Sequence, residues 1–356
     1  MNKLNNIIFF LLCIVLVACS NSAGSTQSGE EQNTQPNTSS EQENYVLTLS
    51  HGYPASSFMH TFMEWFDEEV QERSDGRLSL EIYPNSQLMP SDQEIPSILQ
   101  GQIDMTHIAS PVLASFDPIW NFYELPFIFE YDPQDPAVFL ENRMEFNHNE
   151  AGGRKIIEMM EERGLKILSL GFVDMFGSVY TTDANNLVTG PESAEGLRLR
   201  SPGGLIGPET VSAMGASSVT IAASEVTTAL QQGIVDGLLT TPIFADDAKL
   251  PVKSFSLVPL FNTVTPVIIS QEKFDSLPED LQTILLQTGQ ELEEYAMETV
   301  LERTKTAYTT LENEGVDIYY PTEEEIKEWQ KATEPVRAVF EEEVEAGSEL
   351  LEVLDE

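Results

Sequence analysis

Apolar and polar positions alternate along Tyr45-Val-Leu-Thr-Leu-Ser50, which predicts a half-buried strand. His51 to Ser57 reads as a turn rich in Gly, Pro and Ser. Phe58, Phe62, Phe66 and Val70 then recur at helical spacing with acids opposite. Asp75-Gly76 breaks that helix, and Leu78-Ser-Leu-Glu-Ile82 alternates again as a second strand. A helix over Gln93–Leu99, closed by Gly101, leads into Ile103-Asp-Met105 as a buried strand. This alternation predicts an α/β protein with mostly parallel sheets. Leu99-Gln-Gly-Gln-Ile-Asp104 is echoed by Leu230-Gln-Gln-Gly-Ile-Val-Asp236, the same succession of helix end, glycine, apolar strand and aspartate. The two stretches read as equivalent corners of two lobes built alike. After Ser276-Leu-Pro-Glu-Asp280 a helical pattern runs to about Asn313. At 1.5 Å per residue it is roughly 50 Å long, enough to brace both lobes.

The chain begins differently. Residues 1–18 read as a secretion signal, with Lys3 as its positive start and Ile7 to Val17 as its apolar run. That run is short against the roughly 20 residues of a membrane span. It ends in Leu16-Val-Ala-Cys19, which resembles the bacterial lipobox and marks Cys19 for lipid attachment; the alternative is an uncleaved membrane anchor. Residues 20–44 are Ser, Thr, Asn, Gln, Gly and Glu apart from Ala23 and Pro36, a composition expected of a flexible tether reaching roughly 25–30 Å. Cys13 falls within the signal, so the folded part carries no thiol chemistry and no disulfide.

Charge narrows the partners. The chain has 59 acids against 18 Lys and Arg, a net charge of −41, and loss of residues 1–18 removes Lys3 and no acid, giving −42. Nucleic acid is disfavoured, because phosphate binding needs basic patches. The runs Glu323-Glu-Glu325 and Glu341-Glu-Glu343 read as solvated helix faces, and the imbalance suits a secreted protein of a salty or alkaline habitat. Any site for an anion must then be local. Gly196-Leu-Arg-Leu-Arg200 supplies one, a guanidinium at the end of a short strand where ligands of open α/β sheets bind. Arginine meets a carboxylate through two charge-assisted hydrogen bonds. A structural ion pair, for instance with Glu225, is the competing role. Arg198 sits nearer the strand start and is expected in solvent. The four histidines (His51, His60, His107, His148) show no metal spacing, Asp246-Asp247 reads as a surface pair, and no nucleophile–base set or phosphate loop appears. No cofactor is expected.

From about Tyr45 to about Glu345 the chain resembles the substrate-binding proteins of TRAP transporters, the DctP-like extracytoplasmic solute receptors. The likeness rests on Gly76-Arg-Leu-Ser-Leu-Glu-Ile-Tyr-Pro84, Ser86-Gln-Leu88, Leu99-Gln-Gly-Gln-Ile-Asp104, Glu124-Leu-Pro-Phe127, Gly196-Leu-Arg-Leu-Arg200, Ser224-Glu225, Ala229-Leu-Gln-Gln-Gly233, Val235-Asp236-Gly237 and Leu277-Pro-Glu-Asp-Leu281. It implies a two-lobed periplasmic-binding-protein-like α/β clamshell with hinge strands and a long helix spanning both lobes. The expected division is 45–175 plus about 265–303 for lobe I and about 176–264 plus 304–356 for lobe II. It further implies capture of an organic acid for an ion-coupled permease with small and large membrane subunits, by a monomer held at the extracytoplasmic face of the membrane. Arg200 would pair with the ligand carboxylate. Thr240 or Thr241 stands where the family often has asparagine, with Phe244 just beyond; Ala223 replaces an aromatic, Ala109-Ser110 a glutamate of sialic-acid binders, and Val179-Tyr180 a second arginine. Tyr180, Phe172, Phe176, Phe244 and Tyr53 are candidate walls, and His51, in a pocket-facing turn, and Ser110 are further candidate contacts. Such a pocket favours a mono- or dicarboxylate with an apolar or modestly polar body over a sialic acid. A sensory lipoprotein serving a receptor kinase, or a secreted enzyme, are the alternatives.

Overall fold

The computed structural model describes residues 43–132, 135–221 and 223–354; the signal and Cys19 lie outside them. The chain starts with β1 (Tyr45–Ser50), α1 (Phe58–Arg73), β2 (Leu78–Tyr83), α2 (Glu94–Leu99) and β3 (Met105–His107), then α3 (Ser110–Leu113), α4 (Ala137–His148), α5 (Gly153–Glu162) and β4 (Leu165–Phe172). The α1 register is the predicted one. Ser57 caps it by accepting from the Met59 amide, and Phe62, Phe66 and Val70 are buried. After a first crossing come β5 (Ser178–Thr181), β6 (Arg198–Ser201), α6 (Ile206–Ala213), β7 (Ser217–Thr220), α7 (Val226–Gln231), β8 (Gly237–Thr240), α8 (Pro242–Asp247) and β9 (Ser254–Ser256). A second crossing returns to β10 (Val264–Ser270), followed by α9 (Gln271–Ser276), α10 (Glu279–Asn313), β11 (Asp317–Tyr319), α11 (Glu323–Glu343) and α12 (Gly347–Glu352).

The strands form two sheets, ordered β2-β1-β3-β10-β4 and β11-β9-β5-β8-β6-β7, each with its own helices. Two α/β lobes result. The sheets are mixed rather than mostly parallel, and the crossings are the reason. A strand that leaves one sheet at its carboxyl edge meets the other sheet at the edge facing it. It must then run against the strands already there. Accordingly β5 is antiparallel to β8, and β10 is antiparallel to β3 and β4. The two crossings touch where the Gly177 amide donates to the Phe261 carbonyl at 2.6 Å.

The echoed corners fold alike. Gly101 and Gly233 adopt φ of 68° and 66°, which favours glycine. Asp104 donates its amide to the Thr48 carbonyl and accepts the Thr48 amide on its carboxylate. Asp236 makes the same pair of bonds with Arg198. A side chain thus replaces a ladder carbonyl at this point, and β3 starts at Met105, later than the apolar pattern predicts.

The long helix is α10, 35 residues as the pattern predicts. It packs against α1 and β4 in the first lobe and α8 in the second. Its closest approach is at Gly289, where an added Cβ would lie 2.1 Å from the Leu168 carbonyl oxygen. The β4–β10 register slips between Val267 and Ile268, so Leu168 is an extra residue of β4 that bulges at this point. One turn further on, Glu293 accepts the Leu170 amide at 2.6 Å and His148 at 2.9 Å. Across the lobes, the Arg303 guanidinium lies 4.7 Å from the Phe58 ring centre and pairs with Asp247 at 2.5 Å. The run Glu323-Glu-Glu325 occupies the first turn of α11, beside the positive end of its dipole, and Thr322 and Glu325 cap each other there.

Candidate functional site

Both sheets turn their carboxyl edges toward the crossings. On the second sheet β6 ends with Arg200 and Ser201, beside Thr240 at the end of β8. Arg200, Leu238, Tyr180 and Phe255 are cross-strand partners and project to one face. Arg200 is only 6% exposed. Its Nε donates to the Ile221 carbonyl at 2.9 Å and its Nη1 to the Leu239 carbonyl at 3.5 Å. Among the described residues no carboxylate lies within ion-pair distance of it. Burial alone depresses its pKa to about 10, so it stays charged at neutral pH. The competing ion pair is taken by its neighbour: Arg198, on the exposed side, pairs with Asp236 at 2.7 Å.

The internal echo accounts for this lack of an acid. Thr48 and Arg198 hold matching places, so Ser50 matches Arg200. In the first lobe Ser50 and Thr106 both donate to buried Glu94, at 3.0 and 2.7 Å. Glu94 lies ten positions before Asp104, and the residue ten before Asp236 is Val226. The second lobe therefore carries a cation where the first has a hydroxyl, and a valine where the first has an acid.

The carboxyl edge of the first sheet carries the remaining candidate residues. His51 and His107 are buried there with Tyr53 between them, ring centres 5.7 and 5.5 Å from it. The Tyr53 amide donates to His51 Nδ1, so neutral His51 carries its proton on Nε2 and donates to His60 Nδ1 at 3.0 Å. Burial, and then His60, lowers the His51 pKa to about 4; burial, and then His51, holds His107 well below its ordinary value. The Tyr53 hydroxyl lies 3.5 Å from that of Thr265 on β10, and Ser110 accepts the Val264 amide at 3.4 Å. The edge carries hydroxyls and rings, with Glu94 buried behind them, its carboxyl raised by burial to about 7.

The structure brings Arg200, Thr240, Thr241 and Phe244 together at one edge, and His51, Tyr53 and Ser110 at the other. Tyr180 stacks on Phe255 at 4.4 Å, and Phe255 lies 5.8 Å from Tyr308 of α10, which puts Tyr180 in the packing beneath the edge. Phe176, on the first crossing, lies against Tyr131 and Phe139, at 4.5 and 5.3 Å. Phe172 lies beneath the Arg143 guanidinium at 4.1 Å. Arg143 escapes a reading of the sequence, because Glu141-Asn-Arg-Met-Glu145 looks like an exposed helix face. It is fully buried and grips the second crossing, donating to Asn262 at 2.5 Å and to the Thr263 carbonyl at 3.1 Å. Among the described residues no cluster of His, Cys, Asp or Glu is arranged to hold a metal ion. No described helix is long and apolar enough to cross a membrane.

Two α/β lobes that face each other across paired crossings, with an uncompensated cation at one edge, define a ligand-trapping receptor. Residues 49–343 match the family described as bacterial extracellular solute-binding protein, family 7 (DctP), and the chain belongs to that family. It is 27% identical over 283 residues to the C4-dicarboxylate-binding periplasmic protein DctP of Rhodobacter capsulatus, spanning 76% of this chain and 79% of that one. It is 25% identical over 322 residues to the 2,3-diketo-L-gulonate-binding periplasmic protein YiaO of Escherichia coli, spanning 87% and 92%. In fold it is similar to DctP7, a Bordetella pertussis extracytoplasmic solute receptor binding pyroglutamic acid, with a TM-score of 0.77, 19% identity, and coverage of 88% and 100%.

Proposed function

We propose that this protein captures an organic acid outside the cytoplasm through Arg200 and delivers it to a TRAP-type permease. The observation that carries the reading is a nearly buried guanidinium whose own protein supplies no acid. Leaving such a charge unpaired costs several kcal/mol, and a ligand carboxylate offsets that cost. The three relatives described above are named for a dicarboxylate, a sugar acid and a cyclic amino acid, ligands that share a carboxylate and differ in the rest. In this chain the rest would meet Thr240, Thr241 and Phe244 on one side and Tyr53, His51 and Ser110 on the other. That lining suits a mono- or dicarboxylate with a modestly polar body. Lobe I would comprise 45–175 with about 265–303, and lobe II about 176–264 with 304–356, closing about the two crossings.

Mass spectrometry of the small molecule that copurifies with the protein, followed by thermal melts with C4-dicarboxylates, sugar acids and pyroglutamate, tests the reading. A true ligand at 100 times its Kd adds about 2.7 kcal/mol to stability. A copurifying molecule with no acidic group, and melts indifferent to every acid, would refute it.

The membrane attachment proposed for Cys19 rests on Leu16-Val-Ala-Cys19 after an apolar run. Labelled palmitate is expected to enter the full-length protein in cells and to be absent from Cys19→Ala. Equal labelling of both proteins removes the assignment.

A further inference from the structure

The first turn of α8 is capped from outside its own stretch of chain. A helix starting at Pro242 leaves the amides of Ile243 and Phe244 without carbonyl partners, and the side chain of the preceding residue usually satisfies them. Thr241 holds that position and makes no capping bond. The acceptor comes instead from Asp174, a residue of the first crossing. The Asp174 carboxylate accepts the Phe244 amide at 3.2 Å and the Ile243 amide at 3.4 Å, and also the Met175 amide at 2.8 Å. Asp174 is 3% exposed. At the far end of the helix Asp247 is held by Arg303 of α10. The short helix is thus strung between the crossing and the spanning helix.

We propose that Asp174 is a positioning residue for the ligand site: it pins the Thr240–Phe244 wall to the first crossing, so the bend that closes the lobes also sets this wall against the ligand. The inference rests on the reading of Arg200, Thr240, Thr241 and Phe244 as the ligand site. A local cap would fasten α8 only to the strand before it. A cap carried by the crossing makes the position of the wall depend on the angle between the lobes. Arg200 holds the same strand end through the Leu239 carbonyl, so anchor and wall move together.

The charged and titratable groups that face Asp174 are Arg143 of α4, Tyr180 of β5 and Tyr308 of α10. Burial keeps both tyrosines neutral and lowers Arg143 only to about 9, so none of the three changes charge between pH 6 and 8. Burial raises Asp174 itself to about 7. Its ionised form, the stronger acceptor, prevails above that pH and is lost below it.

The test is Asp174→Asn in the full chain, with succinate and pyroglutamate as probes. Amide exchange at Ile243 and Phe244 in the ligand-free protein is expected to quicken several-fold, because the carboxylate meets the two amides with different oxygens and asparagine keeps only one acceptor. Wild-type affinity is expected to weaken as pH falls from 8 to 6, while Asp174→Asn binds more weakly at pH 8 and shows a shallower slope, the remainder belonging to Glu94, which burial also raises to about 7. Unchanged exchange, or a wild-type slope in the variant, overturns the proposal. Should Asp174→Asn fail to fold, Asp174→Ser, whose uncharged hydroxyl reaches less far toward the two amides, is read by the same exchange. Arg200→Ala separates the two readings. If it abolishes binding while Asp174→Asn behaves as wild type, only the positioning role falls; if it binds as wild type, the site itself is misplaced and both fall.

Discussion

Arg200→Met should weaken ligand binding and, in the same protein, raise the stability of the ligand-free state. The first effect is the loss of hydrogen bonds to a charged group, about 1.5–3 kcal/mol, or roughly ten- to 150-fold in Kd. The second follows from burial. A guanidinium held 6% exposed with no carboxylate is a charge taken from water without repayment by an opposite charge. Replacing buried ions by apolar side chains of similar volume stabilises by about 1–4 kcal/mol. Here the Ile221 and Leu239 carbonyls each lose a donor. With each such bond contributing about 1 kcal/mol, the net gain should be at most about 2 kcal/mol. Calorimetric titration and urea unfolding read the two effects separately. Weaker binding with a more stable protein is the signature of a functional cation. A less stable variant that binds normally would mean the guanidinium is a brace for the ends of β7 and β8.

Gly289→Ala should be among the most damaging single-methyl additions available in the chain. On an exposed helix face the same change stabilises by up to about 1 kcal/mol. At this position the new Cβ would lie 2.1 Å from the Leu168 carbonyl oxygen and 2.7 Å from its carbon. Both are backbone atoms of a strand in the middle of its ladder and cannot rotate aside. The helix must lift from β4, which strains the Glu293–Leu170 bond one turn away. Overpacking of this kind costs about 1–3 kcal/mol and sometimes more; the upper end is expected, because the clash is with backbone. Denaturant unfolding decides the matter. A rise in stability would show that α10 does not sit on the bulge.

The sequence made the frame of this molecule legible wherever one segment could declare itself. Phe58, Phe62, Phe66 and Val70 mark the buried face of α1 because helix period and burial coincide there. The length of α10 was readable for a similar reason, since 35 residues pass with one glycine and no proline. Arg200 could be singled out because a strand-end cation is rare in so acidic a chain. Its lack of an acid could not, since that depends on Ile221, Leu239 and Val226, brought close only by the fold. Asp174 and Arg143 were hidden for the same reason. Val173-Asp-Met175 looks like any loop acid, and its role exists only once α8 lies across the crossing. The mixed sheets were missed because local alternation gives each strand but not its direction, which the two crossings impose. The neighbours of Phe176, Tyr131 and Phe139, are likewise set by the fold and not by residue type.

The two matching corners at Asp104 and Asp236 carry an implication for how such a molecule came to need a guest. Each half repeats one architectural plan, yet only one half is chemically self-sufficient, since Glu94 answers the hydroxyls around it. The other half exchanged that answer for Val226 and kept Arg200 as a question. On the function proposed above its missing counterion arrives from outside, so the cargo completes a half-domain that its twin completes from within.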